Sequence, residues 1–316
     1  DDLYAKEQGF QNTLTGLYLA MGESNMYGKE MTFGLNDVVS GLYYTPKLNN
    51  NAYKFAVQYN YEYSSTKSTI TGIWDAAYNV IANDNVLLKE IGLKQDVDAE
   101  NTANYQLSDK FASARTRDII AGEALAVRAL IHLDLLRLFG VNPQVDANKP
   151  SIPYVTALQK EYTSQSTTSE VIQKVITDLL QAESLLRDTD PIVEGNPSIS
   201  DDYYKKSSRA THLNYYAVCG LLARAYQYAG DNENAGKWAK AVINSKTFTW
   251  NTTNQLAKGD YVATSELMFN LYVADMKDRM TPYFKYSSSD NNEGQLLMMS
   301  NQRYNDLFSS SDKRSK

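Results

Sequence analysis

Apolar positions along the chain recur at two different periods. Phe10, Leu14, Leu17, Tyr18 and Met21 fall at helical spacing and predict a first helix over Leu3–Met21. Gly22–Lys47 carries Gly22, Gly28, Gly34, Gly41 and Pro46 and predicts loops with buried anchors. The period then switches to two. Tyr53, Phe55, Val57, Tyr59, Tyr61 and Tyr63 alternate with Lys54, Ala56, Gln58, Asn60 and Glu62. Alternation of this kind predicts an extended segment with one aromatic face. Phe55 and Val57 are expected against the core. Tyr59, Tyr61 and Tyr63, nearer the loop Ser64–Thr71, are expected toward solvent.

Helical spacing returns at Trp74, Ala77, Tyr78, Ile81, Asn85 and Leu88, which predict a helix over Thr71–Ile91. A polar stretch, Gly92–Asp109, separates it from a long helix over Ala112–Phe139, closed by Gly140 with Pro143 beyond. Ser151–Tyr162 reads as a connector. Thr167 and Glu170 have the spacing of a capping box and open a helix to Arg187. Asp188–Ser208 is a loop. Thr211–Ala229 and Asn232–Ser245 form a tight hairpin broken at Gly230-Asp231. Its Leu222, Ala223, Tyr226, Ala235, Ala239 and Val242 sit where a tetratricopeptide repeat places its packing residues. The tail, Thr247–Lys316, reads as loops and short elements.

Charge and composition narrow the function. Among 316 residues, 31 Lys and Arg face 37 Asp and Glu, a net charge of −6. That balance argues against a nucleic-acid binder, which shows a basic stripe. One cysteine excludes a disulfide framework and a cysteine zinc cluster, and only two histidines remain for metal or acid–base work. No run approaches the ~20 apolar residues of a membrane helix. The first residues show neither a charged n-region nor an apolar h-region, so no signal peptide is expected. Tyrosine is the unusual count: 24, against 9 Phe and 3 Trp. Its flat apolar face and its hydroxyl suit half-buried packing or a surface that recognises a polar ring.

Catalytic chemistry finds no support. Glu123, Arg128, Asp134 and Arg137 interleave acids with arginines on one long helix, a pattern of structural pairing rather than of two carboxylates flanking a substrate. His132 lies among Ile131, Leu133 and Leu135 and reads as a neutral core histidine. His212 opens a helix, where capping or solvent contact suffices. Cys219 reads as a buried inert thiol. There is no His-Glu-x-x-His, no Gly-x-Gly and no phosphate-binding loop. The chain is not expected to be an enzyme.

The order of segments resembles the SusD/RagB family of outer-membrane glycan-binding lipoproteins of Bacteroidetes. Four places carry the resemblance. The first is Leu14, Gly16-Leu17-Tyr18 and Leu35-Asn36-Asp37. The second is Trp74, Tyr78, Ile81 and Asn85. The third runs from Gly122-Glu123-Ala124-Leu125-Ala126-Val127-Arg128-Ala129, through Asp134-Leu135-Leu136-Arg137-Leu138-Phe139-Gly140, to Ile152-Pro153-Tyr154. The fourth is Arg209-Ala210-Thr211, the repeat over Leu222–Val242 and Ser265-Glu266-Leu267-Met268-Phe269. Two departures stand out. Family members begin with a lipidated cysteine some way upstream, whereas Cys219 lies inside a helix. They also continue past Asp312-Lys313-Arg314, so a C-terminal segment that helps build their binding face is expected to be absent here.

The resemblance implies a mostly α fold: a single SusD-like domain over 1–316. Four tetratricopeptide-type hairpins over about 71–245 would form the scaffold, with a loop-rich face from about 22–70 and 247–316. It implies non-catalytic capture of an oligosaccharide or polysaccharide at the cell surface. The partner implied is a SusC-like TonB-dependent transporter, and the location an outer membrane reached through a lipid anchor. Glu123 and Arg128 would belong to the scaffold. Asp37 would lie near the glycan as an acceptor for sugar hydroxyls; the alternative is a turn-forming aspartate. Tyr43 and Tyr44 precede Pro46 on a loop, and one of them is expected to face solvent or ligand. With Tyr61 and Tyr63 before the helices, and Arg279, Tyr283 and Tyr286 in the late loop Tyr272–Tyr286, they make up the expected glycan-binding set. No cofactor is called for, and a structural calcium ordering the loops stays open. The competing function is a tetratricopeptide-type protein–protein scaffold that binds a peptide in an open groove and has no aromatic patch on its loops.

Overall fold

The computed structural model describes residues 2–45, 48–93, 110–260, 262–310 and 312. The helices are α1 (Glu7–Met21), α2 (Leu35–Val39), α3 (Lys54–Val57), α4 (Ser64–Ile91), α5 (Ala114–Phe139), α6 (Pro143–Asp146), α7 (Thr168–Arg187), α8 (Tyr215–Ala229), α9 (Asn232–Ser245), α10 (Thr253–Ala257), α11 (Met276–Phe284) and α12 (Asn301–Leu307). Two short strands, β1 (Pro150–Pro153) and β2 (Gln165–Thr167), pair antiparallel. The fold is mostly α, as expected. Six described helices exceed ten residues. No described helix is long and apolar enough to cross a membrane. The polar stretch expected after Ile91 lies, over 94–109, outside the described residues, as do Pro46 and Lys47.

The chain groups into two compact units. Unit 1 holds Asp1–Tyr18 and Asn79–Leu271; unit 2 holds Leu19–Tyr78 and Tyr272–Lys316. Most of the stretch expected to form a loop-rich face falls in unit 2, while residues 247–271 belong to unit 1.

Unit 1 is a sequential stack of helices. α7 packs on α5, α8 on α7 and α9 on α8. α5 is buried all round: from Thr116 to Leu136 every residue but Asp118 is buried. Such a helix carries no polar stripe, and its charged side chains must find partners inside. Gly122 lets α7 come close, because a Cβ there would meet Leu186 Cγ at 2.7 Å. Ser113 caps α5 by accepting from the Thr116 amide, and α5 ends at Gly140. The capping box forms as read from the sequence: the Glu170 amide donates to Thr167 Oγ1 and the Thr167 amide to Glu170 Oε2. Gly230 closes α8 in the left-handed conformation, φ 86°, where other residues are strained. The α8/α9 hairpin exists where the repeat spacing put it. Its tight contacts differ, however: Ala225 and Trp238 are buried, whereas Ala223, Tyr226 and Ala235 are only half-buried.

Two buried ionic clusters lie in unit 1, and Tyr18, Asn85, Glu123, Arg128, Tyr154 and Arg209 of the sequence motifs belong to them. Arg209 is completely buried. It donates through Nε and one Nη to both oxygens of Asp190, at 2.9 and 2.8 Å, and through the other Nη to Glu123 Oε1 at 2.5 Å. Glu123 Oε2 accepts from the Tyr18 hydroxyl at 2.7 Å and meets His212 Nδ1 at 2.8 Å. His212 thus belongs to this cluster rather than capping a helix or facing solvent. Burial alone would push the Glu123 carboxyl up, but the Arg209 and His212 side chains beside it hold it down at about 2. In the second cluster Arg128 forks onto Asp178 at 2.7 and 2.8 Å and reaches Asn85 Oδ1 at 3.0 Å. The Tyr154 hydroxyl donates to Asp178 at 2.5 Å. His132 stacks on the Tyr154 ring at 3.9 Å between centroids. Its Nδ1 bonds the Arg128 carbonyl and its Nε2 accepts from the Val155 amide. Burial therefore keeps it neutral, pushed down to about 3. Cys219 is buried, and burial pushes its thiol up to about 12.

Unit 2 corrects the period-two reading. Residues 53–63 are not extended. A strand needs a ladder partner, and none forms here. Lys54–Val57 closes one helical turn, and Tyr59 turns the chain in the left-handed region, φ 57°. Tyr53 and Ala56 are the buried positions, while Phe55 and Val57 are half-buried. Tyr59, Tyr61 and Tyr63 do face solvent. Helix α4 begins at Ser64, ahead of the expected Thr71, and Leu35–Val39 is helical inside the predicted loop.

Candidate glycan-binding site

The eight residues expected to contact glycan, Asp37, Tyr43, Tyr44, Tyr61, Tyr63, Arg279, Tyr283 and Tyr286, all fall within unit 2. Its two chain segments are tied together by backbone and amide bonds. The Tyr44 amide donates to the Met298 carbonyl at 2.7 Å, and the Met298 amide donates back at 3.0 Å. Asn51 Nδ2 donates to the Gly294 carbonyl at 3.0 Å; within the later segment the Leu297 amide donates to the Tyr283 carbonyl at 2.9 Å. Beneath them Glu30 is buried. It accepts from the Tyr53 hydroxyl at 3.0 Å and the Leu35 amide at 3.0 Å, and pairs with Lys29 at 3.0 Å.

The eight divide by exposure. Tyr44, Tyr61, Tyr63 and Tyr286 are exposed, Tyr286 most of all at 60%. Tyr63 lies face to face on Phe55, 3.4 Å between centroids, and Tyr61 meets Tyr59 edge-on at 6.4 Å. Tyr43 and Tyr283 are half-buried. Tyr43 packs edge-on against Phe284 at 5.6 Å and hydrogen-bonds Asp37. Partial burial raises the Asp37 carboxyl above its ordinary range, with the Tyr43 hydrogen bond pulling the other way. Asp37 sits within α2, so it is not a turn residue. Tyr283 lies 6.0 Å from the Phe33 ring and 6.3 Å from Tyr53, with Lys29 Nζ 5.1 Å above its face. Arg279 and Tyr283 lie on helix α11 where the sequence predicted a loop; Arg279 donates to Asp275 at 2.9 Å and to the Gly22 carbonyl at 2.7 Å, so it ties α11 to the chain at Gly22.

Two clefts open on this unit. One, of about 390 Å³, is lined by Asn49, Asn50, Asn51, Lys54, Phe55, Ser65, Tyr283 and Gln295. The other, of about 590 Å³, is lined by Tyr286, Lys285, Ser287, Ser288, Asp290, Asn292 and again Gln295. Their walls alternate amides and hydroxyls with aromatic rings. Such a lining can stack on the CH face of a sugar and bond its hydroxyls on either side. Sequence reasoning passed over Asn49, Asn50 and Gln295. The Asn49-Asn50-Asn51 run was a visible signal, but Gln295 had none. Among the described residues, no group of three His, Cys, Asp or Glu could hold a metal ion.

Comparison with known proteins gives one consistent answer. A SusD-like family model, described as "Starch-binding associating with outer membrane", matches residues 6–227. A SusD-like protein P2 of Formosa agariphila is 23% identical over 236 residues, 75% of this chain and 39% of that relative. A SusD superfamily protein of Bacteroides thetaiotaomicron superposes with a TM-score of 0.68 at 21% identity, over 96% of this chain and 61% of its own. A SusD-like carbohydrate binding protein of Bacteroides vulgatus gives 0.68 at 18% identity, over 98% and 60%. The chain thus spans less than two thirds of each of these relatives. At such identities the superpositions speak for the fold, while the family model covers most of the chain and takes in Asn85, Glu123, Arg128 and Arg209 of the buried clusters. On that match the chain belongs to the SusD-like family.

Proposed function

We propose that the chain captures a neutral or weakly charged oligosaccharide without chemically altering it, as part of an outer-membrane glycan-uptake system. One observation carries this reading. Unit 2 gathers exposed tyrosine faces and amide-lined clefts from two segments far apart in sequence, onto a base held by backbone bonds. Rings that are exposed but braced lose little freedom when a sugar stacks on them. Asn49, Asn50 and Gln295 supply donors and acceptors at the cleft edge. The family's description as starch-binding favours the same ligand class. Delivery to a SusC-like TonB-dependent transporter, and anchoring through a lipidated cysteine upstream, are the finer parts of the proposal. Affinity per site is weak, since a dissociation constant of ~1 mM corresponds to only about −4 kcal/mol. Repeated units along a polymer compensate.

The peptide-scaffold alternative required loops without an aromatic patch, and the exposed Tyr44, Tyr61, Tyr63 and Tyr286 count against it. A glycan array on the purified chain, followed by calorimetry on the strongest hit, tests the proposal. Binding to one glycan class without release of reducing sugar is the expected result. Absence of binding to every glycan, or hydrolysis in proportion to added protein, overturns it.

A further inference from the structure

Unit 1 has a cavity of its own, of about 570 Å³, where the ends of α5 and α8 meet the start of α9. Its walls hold two arginines, Arg137 and Arg224, with the amides of Asn142, Gln144, Gln227 and Asn232. No carboxylate is among the lining residues. Both guanidiniums end on the same oxygen, Asp134 Oδ1, Arg137 at 3.0 Å and Arg224 at 3.3 Å. Asp134 is nearly buried, whereas the arginine side chains keep 50% and 49% of their surface open. Two cations thus share the Asp134 carboxylate in a protein whose net charge is −6, while Asp231, between the lining residues Gly230 and Asn232, is turned onto Asn234. A planar oxyanion suits the fork of N–H donors that the guanidiniums offer. Pairs this exposed are weak, so an incoming anion displaces little when it takes over part of their hydrogen bonding.

From this geometry we propose that the cavity is a binding site for a small oxyanion-bearing molecule. The site takes a carboxylate or sulfate on a polar, sugar-sized body. Arg137 and Arg224 hold the anion, and the surrounding amides bond hydroxyls. The volume falls within the range of small-molecule sites. The proposal rests on unit 1 alone and is separate from the tyrosine-lined clefts.

The test uses D-glucuronate, inorganic sulfate and neutral D-glucose as probes, followed by NMR or calorimetry on the whole chain. Glucuronate binds and glucose does not, and binding weakens as salt rises. Arg224→Gln lowers glucuronate affinity about tenfold, the loss of one charge-assisted hydrogen-bonded pair. Asp134→Asn removes the internal competitor and raises affinity, whereas a purely structural role for the cluster would lower it or leave it unchanged. Tyr61→Ala leaves glucuronate binding unaltered, which separates this site from the proposed glycan face. Sulfate binding as tightly as glucuronate supports a bare oxyanion site; glucuronate binding more tightly supports an acidic sugar. Equal binding of glucose and glucuronate overturns the proposal, as does unchanged glucuronate affinity in folded Arg224→Gln and Arg137→Gln.

Discussion

Removing the Arg209 guanidinium would leave Glu123 and Asp190 fully buried without the cation they share, with His212 beside Glu123 alone. Breaking a buried pair from one side costs about 3–5 kcal/mol, because the remaining charge stays desolvated. Arg209→Met should therefore lower the unfolding free energy by at least that amount, read as a shift in urea midpoint. A loss under 1 kcal/mol would mean the cluster is not structural. The same clusters set the acid response. Glu123 lies at about 2 when folded against an ordinary 4.5, so its contribution is complete above 4.5 and is lost as pH falls toward 2. His132 lies at about 3 against 6.5; the unfolded chain takes up that proton first, so stability falls from pH 6.5 downward. Asp84 opposes both. It is buried, neither carboxylate oxygen has a hydrogen-bond partner, and burial raises its proton affinity. Its contribution is complete below 3.8 and is lost as pH rises. Asp84→Asn should therefore be more stable than wild type at pH 7, with the gain shrinking toward pH 4. Equal midpoints for the two proteins at pH 7 would refute this account.

At the scale of elements, the structure separates helices that carry their own stop and start signals from segments that do not. α7 begins where its capping box says, since Thr167 and Glu170 satisfy each other's amides locally. Thr167→Ala should cost about 1 kcal/mol, measurable as a lower melting temperature with no change in far-ultraviolet dichroism at 25 °C. An unchanged melting temperature would show that packing on α5 alone holds the helix end. The segment 53–63 carried the opposite kind of signal. Its alternation is regular, but alternation specifies a strand only when a partner strand offers a ladder. Here Tyr53 turns inward to reach Glu30, and the rings that follow are left exposed by a turn. α4 extends back to Ser64 through polar residues whose helicity no apolar period could announce.

At the scale of the whole molecule, unit 2 joins residues 19–78 to 272–316. If its exposed rings form the glycan face, then Tyr61→Ala and Tyr286→Ala should each weaken glycan binding, by about 0.5–1.5 kcal/mol for a lost stacking ring, with unchanged melting temperature. Both side chains are exposed, 46% and 60%, so their removal opens no cavity. Tyr53→Ala is the contrast: buried and bonded to Glu30, it should destabilise unit 2. If the two exposed-ring variants bind like wild type, the face lies elsewhere on the protein.

The sequence by itself determined the helical class, the limits of α5, α7, α8 and α9 to within a few residues, and the neutral, buried state of His132. Each of these depends on neighbours three or four positions away, or on the apolar character of one helix, and local spacing records such things. It also showed that Glu123 and Arg128 are structural, although not that their partners are Arg209 and Asp178. Those partners lie 86 and 50 positions away, and no period along the chain encodes them. Tertiary structure alone decided that the early and late tyrosines share one unit. It alone set Asn49, Asn50 and Gln295 around a common cleft and bound Arg279 on α11 to the distant Gly22 carbonyl. Pairing between distant segments follows from the burial and hydrogen bonding of the folded chain, so the character of a surface built that way emerges only on folding.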